Sequence, residues 1–201
     1  LAMICGRPMV EHVFERARLF DRWDGLYLCT CDREIAEFGN SKDYPVLMTS
    51  DMHTRALDRV AEAAAKCGSE LGEEDVIVCV QGDEPMLSPD MIHAAISPLE
   101  KDPKVSCTVL AMEIIHEEQF RDPDTVKIIH NLNGDVLYTS RAPVPYCEEF
   151  TRDLGARRIY GIFGFRWHSL KLFNSLPESR LEIVESCDSN RILDSSFCQR
   201  I

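Results

Sequence analysis

Gln81, Asp83 and Glu84 fall close together in Val80-Gln81-Gly82-Asp83-Glu84-Pro85-Met86, directly after the apolar run Asp75–Val80. Carboxylates at the carboxyl end of a buried strand are hard oxygen donors in the place where open α/β sheets bind ligands. A divalent cation beside a polyphosphate needs such donors. Taken alone, the run also fits a solvated turn in which Asp83 caps the next segment. A second set, His53, Arg55, Asp58 and Arg59, lies upstream. Arg141 has the fork geometry for bidentate grip on a carboxylate, and Lys127 offers a point charge; internal salt bridges would use either equally well.

The elements that must position these residues are legible as periodic patterns. From Pro8, the residues Val10, Val13, Phe14 and Ala17 recur at helical spacing, with proline where its missing donor costs nothing. Leu26–Cys31 reads as a strand, Asp32 as the cap of a helix to about Asn40, and Pro45–Met48 as another strand. Ala56–Cys67 is helical, with Val60, Ala63 and Ala64 inward. Asp75–Val80 lacks polar alternation, which suits a central parallel strand. Ser88-Pro89-Asp90 starts a helix to about Leu99, and Val105–Ile114 returns as a strand. Val126–Ile129 and Val136–Tyr138 flank a turn cluster and predict a hairpin. Arg158–Arg166 predicts a strand, Trp167–Asn174 a short helix, and Leu181–Leu193 one helix.

This alternation predicts an α/β fold: a three-layer α/β/α, Rossmann-like, mostly parallel sheet with an antiparallel insertion. The 201 residues suit a single domain, and 45% apolar with 28% charged residues excludes a disordered chain. No apolar stretch approaches membrane-spanning length, and Leu1–Val10 carries glycine, arginine and proline where a secretory signal needs an unbroken apolar core. A net charge of −12 argues against nucleic acid and anionic membrane as partners, so a phosphate ligand needs a local basic site. The nine cysteines lack paired metal spacing and read as reduced thiols of a cytoplasmic protein.

The acidic loop resembles that of the 3-deoxy-manno-octulosonate (Kdo) cytidylyltransferases, and further matches follow in the same order along nearly the whole chain. Leu1–Val13 is similar to the stretch after that family's glycine-rich loop. Met48-Thr49 with His53 and Asp58-Arg59 is similar to its nucleotide-contacting loop. Val126-Lys127-Ile128, Leu137–Pro145, Gly161–Arg166, and Leu181-Glu182 with Glu185 and Arg191 complete the series.

The resemblance implies transfer of a cytidylyl group from CTP to an acidic sugar, with magnesium as cofactor. Asp83 becomes the expected metal ligand and, with Gln81, the catalytic pair. His53, Arg55, Asp58 and Arg59 become nucleotide contacts. Gln81, Arg141, Phe163, Glu185, Asp188 and Ser189 become sugar contacts, with Glu84 bracing the loop and Pro85 stiffening its exit. Residues 124–165 are expected to form an antiparallel insertion through which two copies pair.

Departures from the family pattern are specific. Arg55-Ala56-Leu57 replaces a serine-glycine-threonine, Ile159 and Phe163 stand where a histidine and a tyrosine are usual, and Asp188-Ser189 replaces a glutamate-glutamine pair. These point to an altered sugar acid, a sialic-type acid being one alternative. A glycine-rich phosphate loop and a second metal-binding aspartate lie outside the sequence. The expectation is either a longer enzyme chain or a catalytically silent dimeric relative that serves as a binding or regulatory module.

Overall fold

The protein is described by a computed structural model covering residues 1–68 and 70–201. Met3–Ile4 (β1) and Arg7–Pro8 (β2) form a small hairpin, turned by Cys5 and Gly6 with φ of 49° and 77°. Pro8 then caps α1 (Met9–Ala17), which buries Val13, Phe14 and Ala17. Leu28–Thr30 (β3) leads into α2 (Arg33–Ser41), and the Asp32 carboxylate accepts hydrogen bonds from the amides of Glu34 and Ile35 at 2.8 and 3.2 Å. That satisfies two of the helix's orphan donors. Val46–Met48 (β4) pairs in parallel with β3, and α3 (Ala56–Lys66) crosses over to β5 (Val76–Val80).

After the acidic loop come α4 (Pro89–Lys101), β6 (Cys107–Glu113), α5 (Glu117–Arg121) and the hairpin of β7 (Lys127–His130) and β8 (Val136–Ser140). A 3-10 turn at Arg152–Leu154 precedes β9 (Arg157–Arg166); α6 (Trp167–Ser175), α7 (Arg180–Glu185), α8 (Asp188–Asp194) and β10 (Gln199–Arg200) follow.

The α/β class holds, and the sheet is mixed. β9 is its hub, pairing antiparallel with β5, β6 and β7, while β10 lies parallel to β6. Two readings therefore change. Asp75–Val80 is not a central parallel strand: its ladder partner is the antiparallel β9, and full burial imposes the same unbroken apolar pattern in either direction. Arg157–Arg166 belongs to the main sheet rather than to an insertion.

Side-chain alternation along β9 sends Phe163 and Phe165 to one face, against Leu57, Ala61, Leu170 and Phe173 of α3 and α6. It sends Tyr160 and Ile162 to the other, against Ile92, Ala95 and Ile96 of α4. The result is helix, sheet, helix.

The single helix expected over Leu181–Leu193 is two. Ser179 and Glu182 form a reciprocal capping box that starts α7, and Ser186, at φ 50°, ends it. The break exposes the carbonyls of Glu185 and Ser186, which accept from the Arg141 guanidinium at 2.8 and 3.4 Å. A long-range partner offsets the left-handed residue, and no short-range signal announces it. No helix among the described residues is long and apolar enough to cross a membrane.

Candidate active site

β5 delivers the acidic loop to the carboxyl end of the sheet, and β9 holds it there. The Gln81 amide donates to the Gly161 carbonyl at 2.8 Å, and the Gly161 amide donates to Glu84 Oε1 at 2.7 Å. Glu84 is thus a brace. Burial pushes its carboxyl above the usual range, against the opposing pull of the Gly161 amide, and burial with Glu84 alongside pushes the Tyr160 hydroxyl up to about 12. Asp83 projects from the braced loop, exposed.

The lock requires glycine at 161. An added Cβ would lie 2.8 Å from Gln81 Oε1, 2.9 Å from Gln81 Cβ and 2.9 Å from Glu84 Oε1. Gly161→Ala is therefore expected to lower turnover about tenfold, the cost of a misplaced reactive group, with secondary structure by circular dichroism unchanged. Wild-type turnover in that variant would contradict the lock.

Gln81 and Asp83 lie at the junction of two cavities. One, of about 410 Å³, gathers Arg55, Gln81, Asp83, Glu84, Arg141, Arg158, Phe163 and Asp188. The other runs between β3 and β5 and includes Arg59. His53, Asp58, Glu185 and Ser189 line neither.

The residues outside the cleft have internal partners. The His53 ring pairs with Glu62, and Arg59 donates to Thr49 Oγ1 at 2.6 Å, to the Ser50 carbonyl at 3.1 Å and to the His53 carbonyl at 3.3 Å, which shapes the loop before α3. Asp58 holds Arg191 at 2.9 and 3.2 Å. Burial pushes Glu185 up, but the Arg141 amide, Ser140 and Tyr138 donate to it and hold it below the usual carboxylate range. Ser189 is fully buried in α8.

Within the cleft the cations differ. Arg141 spends its fork on the carbonyls of Glu185, Ser186 and Pro123, so it latches three loops together. Lys127, fully buried and not part of the cleft lining, donates to the carbonyls of Asp122 and Thr125 at 2.7 and 2.6 Å, and burial lowers its pKa. Arg55 donates to Ser186 Oγ at 2.8 Å, while its Nε is buried without a hydrogen bond 3.7 to 3.9 Å from Glu178, Glu182 and Asp188. Burial raises the Asp188 carboxyl to about 6, with Arg55 pulling the other way.

Arg158, which the sequence patterns did not single out, lines the cleft and has no ion-pair partner among the described residues; its guanidinium stands over the Tyr160 ring. It occupies the start of an ordinary-looking strand, so spacing alone gave no signal.

The chain is similar to known proteins in both sequence and fold. Residues 1–199 match the family described as cytidylyltransferase. The chain belongs to the cytidylyltransferase family. Among its relatives, the 3-deoxy-manno-octulosonate cytidylyltransferase of Oleidesulfovibrio alaskensis is 38% identical over 201 residues, covering all of this chain and 80% of that protein. That of Syntrophus aciditrophicus is 32% identical with the same coverage.

A solved CMP:2-keto-3-deoxy-manno-octonic acid synthetase complexed with CTP superposes with a TM-score of 0.87 at 28% identity, over 100% of this chain and 80% of that one. The 4-diphosphocytidyl-2C-methyl-D-erythritol synthase of Anaerococcus prevotii shares the fold, with a TM-score of 0.59 at 16% identity over 98% and 77% of the two chains.

Proposed function

We propose that this cytidylyltransferase couples CTP to a sugar acid of the 3-deoxy-manno-octulosonate type, giving a CMP-sugar and pyrophosphate for cell-surface glycan synthesis. The observation that carries this reading is the cleft that gathers Gln81, Asp83, Arg158 and Asp188 in one lining, in a chain similar to Kdo cytidylyltransferases throughout its length.

The sugar's anomeric hydroxyl attacks the α-phosphorus of CTP. An oxygen–phosphorus bond forms as the bond to the pyrophosphate oxygen breaks, and the hydroxyl proton is released. The task is alignment and charge neutralisation, with no covalent enzyme intermediate. Gln81, fixed through its backbone to Gly161, presents an amide that both donates to and accepts from sugar hydroxyls. Arg158 is the free cation suited to the sugar's carboxylate. Phe163 and Ile159 give the cleft an apolar wall, which favours a sugar face that presents carbon there.

Magnesium fits the site as a partly protein-bound ion. No cluster of three metal-ligating side chains exists among the described residues, but Mg²⁺ is commonly held by one or two carboxylates with substrate phosphates and water. Asp83 would hold it, and the ion would neutralise phosphate charge and lower the proton affinity of the attacking oxygen.

Pyrophosphate release is expected from CTP with magnesium and one of Kdo, an amino-substituted Kdo or sialic acid, and not from UTP or GTP. A preference for UTP or GTP with a sugar phosphate would overturn the assignment. We place the reaction in the cytoplasm, where CTP is made.

We also propose a homodimer formed through residues 124–165, where Leu132, Leu137 and Tyr146 are exposed, extended by Ile183 and Val184 of α7. Light scattering at micromolar concentration should give twice the chain mass of 22.9 kDa. A single-chain mass would count against pairing.

A further inference from the structure

Tyr160 does more than its place in the core requires. It lies on the face of β9 turned toward α4, buried among Ile92, Ala95, Ile96 and Ile162, where any large apolar side chain would serve the packing. A buried phenol also needs a partner for its hydroxyl, so tyrosine here has to be explained by its contacts.

Its two ends reach different partners. The hydroxyl bonds the Glu84 side chain: burial raises the pKa of both groups, and this bond adds to the rise of Tyr160 while it opposes that of Glu84. Glu84 in turn accepts from the Gly161 amide at 2.7 Å, and the Gly161 carbonyl accepts from the Gln81 amide. The ring carries Arg158. Residues 158 and 160 stand in unbroken register against Met112 and Leu110, so their side chains share a face, and the guanidinium carbon comes 5.4 Å from the ring centroid. That is cation–π distance.

Little else fixes this cation. Among the described residues the Arg158 guanidinium pairs with no carboxylate, and its one hydrogen bond, to the Ile159 carbonyl, is 3.4 Å long. A long, freely rotating arginine loses rotamer entropy when a ligand seizes it, and an aromatic platform removes part of that cost beforehand.

We propose that Tyr160 is a positioning residue for the sugar's carboxylate: its ring holds Arg158 in the cleft lining, and its hydroxyl ties that cation to the brace that carries Gln81 and Asp83. This rests on the reading of Arg158 as the carboxylate-binding cation. The two ends then have separable effects. The ring sets sugar affinity, and the hydroxyl, through Glu84, sets the placement of the acidic loop and hence turnover.

Two variants separate them. Tyr160→Phe keeps the ring and loses the hydroxyl; Tyr160→Leu loses both and keeps an apolar contact with α4. With a sugar acid that the wild type turns over, Tyr160→Leu should raise KM for the sugar about fivefold or more and leave KM for CTP within about twofold. Tyr160→Phe should leave both KM values within about twofold. Turnover should fall equally in the two variants, by about two- to tenfold, because both lose the same hydrogen bond. In an Arg158→Ala background, Tyr160→Leu should raise the sugar KM no further. A structural role alone would move the two KM values together or persist without Arg158, and either result would overturn the proposal.

The ring contact is also read without substrate. In protein carrying isotope-labelled arginine, the Arg158 side-chain protons, assigned by their loss in Arg158→Ala, should be shifted upfield by the ring in the wild type and in Tyr160→Phe. In Tyr160→Leu they should return to the positions of an unshielded arginine. An unshifted Arg158 signal in the wild type would overturn the proposal whatever the substrate. A shifted signal in a protein that turns over no sugar acid would support the hold of Tyr160 on Arg158 and overturn the assigned reaction instead.

Discussion

Asp83→Asn lowers CTP-dependent pyrophosphate release about 10³-fold and leaves Tm unchanged. The size follows from charge: loss of a metal-ligating carboxylate forfeits part of the several kcal/mol that cation stabilisation contributes, and each 1.36 kcal/mol is a factor of ten. The unchanged Tm follows from position, because Asp83 is exposed and its side chain makes no hydrogen bond among the described residues. A substitution at such a surface site shifts stability by about 0.5 kcal/mol at most.

The neighbouring acid separates charge from architecture. Glu84 accepts the Gly161 amide, and a glutamine at that position retains a carbonyl acceptor of the same reach. Glu84→Gln should therefore keep turnover within about tenfold of the wild type, as expected for loss of one non-essential charge near a site. Steady-state pyrophosphate assays on both variants at saturating CTP decide the matter. Equal losses would mean that the loop needs two charges, and full activity in Asp83→Asn would remove its assigned role.

The contrast between these two acids marks how far the sequence could be read. Position after an apolar strand made the Gln81–Pro85 loop legible, because strand, loop and helix cap are set by residues a few places apart. The Asp32 cap of α2 was legible for the same reason. Roles set by distant partners were not. Asp58 and Arg59 carry the residue types of ligand contacts, yet their bonds run to Arg191 and to the loop before α3. Arg141 has the fork for a carboxylate, yet three carbonyls from Pro123, Glu185 and Ser186 take it, and that demand also breaks the expected long helix. Arg158 was invisible for the opposite reason: a strand-opening arginine looks like any surface cation until the fold turns it into a cleft.

The cluster in which Asp58 bonds Arg191 carries the largest expected effect on stability. Arg191 donates to both Glu182 oxygens at 2.7 and 2.6 Å and to both Asp58 oxygens at 2.9 and 3.2 Å, with its guanidinium 4.3 Å from the Phe173 ring centroid. Arg191→Leu keeps the apolar contact and removes every one of those donors. Glu182 is fully buried, so its carboxylate is left without its close cation, a loss of about 3–5 kcal/mol. That is a large share of the ~5–15 kcal/mol that holds a domain together, and it corresponds to a fall in Tm of about 10 °C or more.

The double variant Glu182→Met, Arg191→Leu should recover much of the loss. It removes the stranded charge as well as its partner, and the remaining Asp58 is partly exposed to water. Thermal unfolding of the three proteins provides the check. A single variant as stable as the wild type, or a double variant no better than the single, would mean that α7, α8 and α3 are held by packing alone.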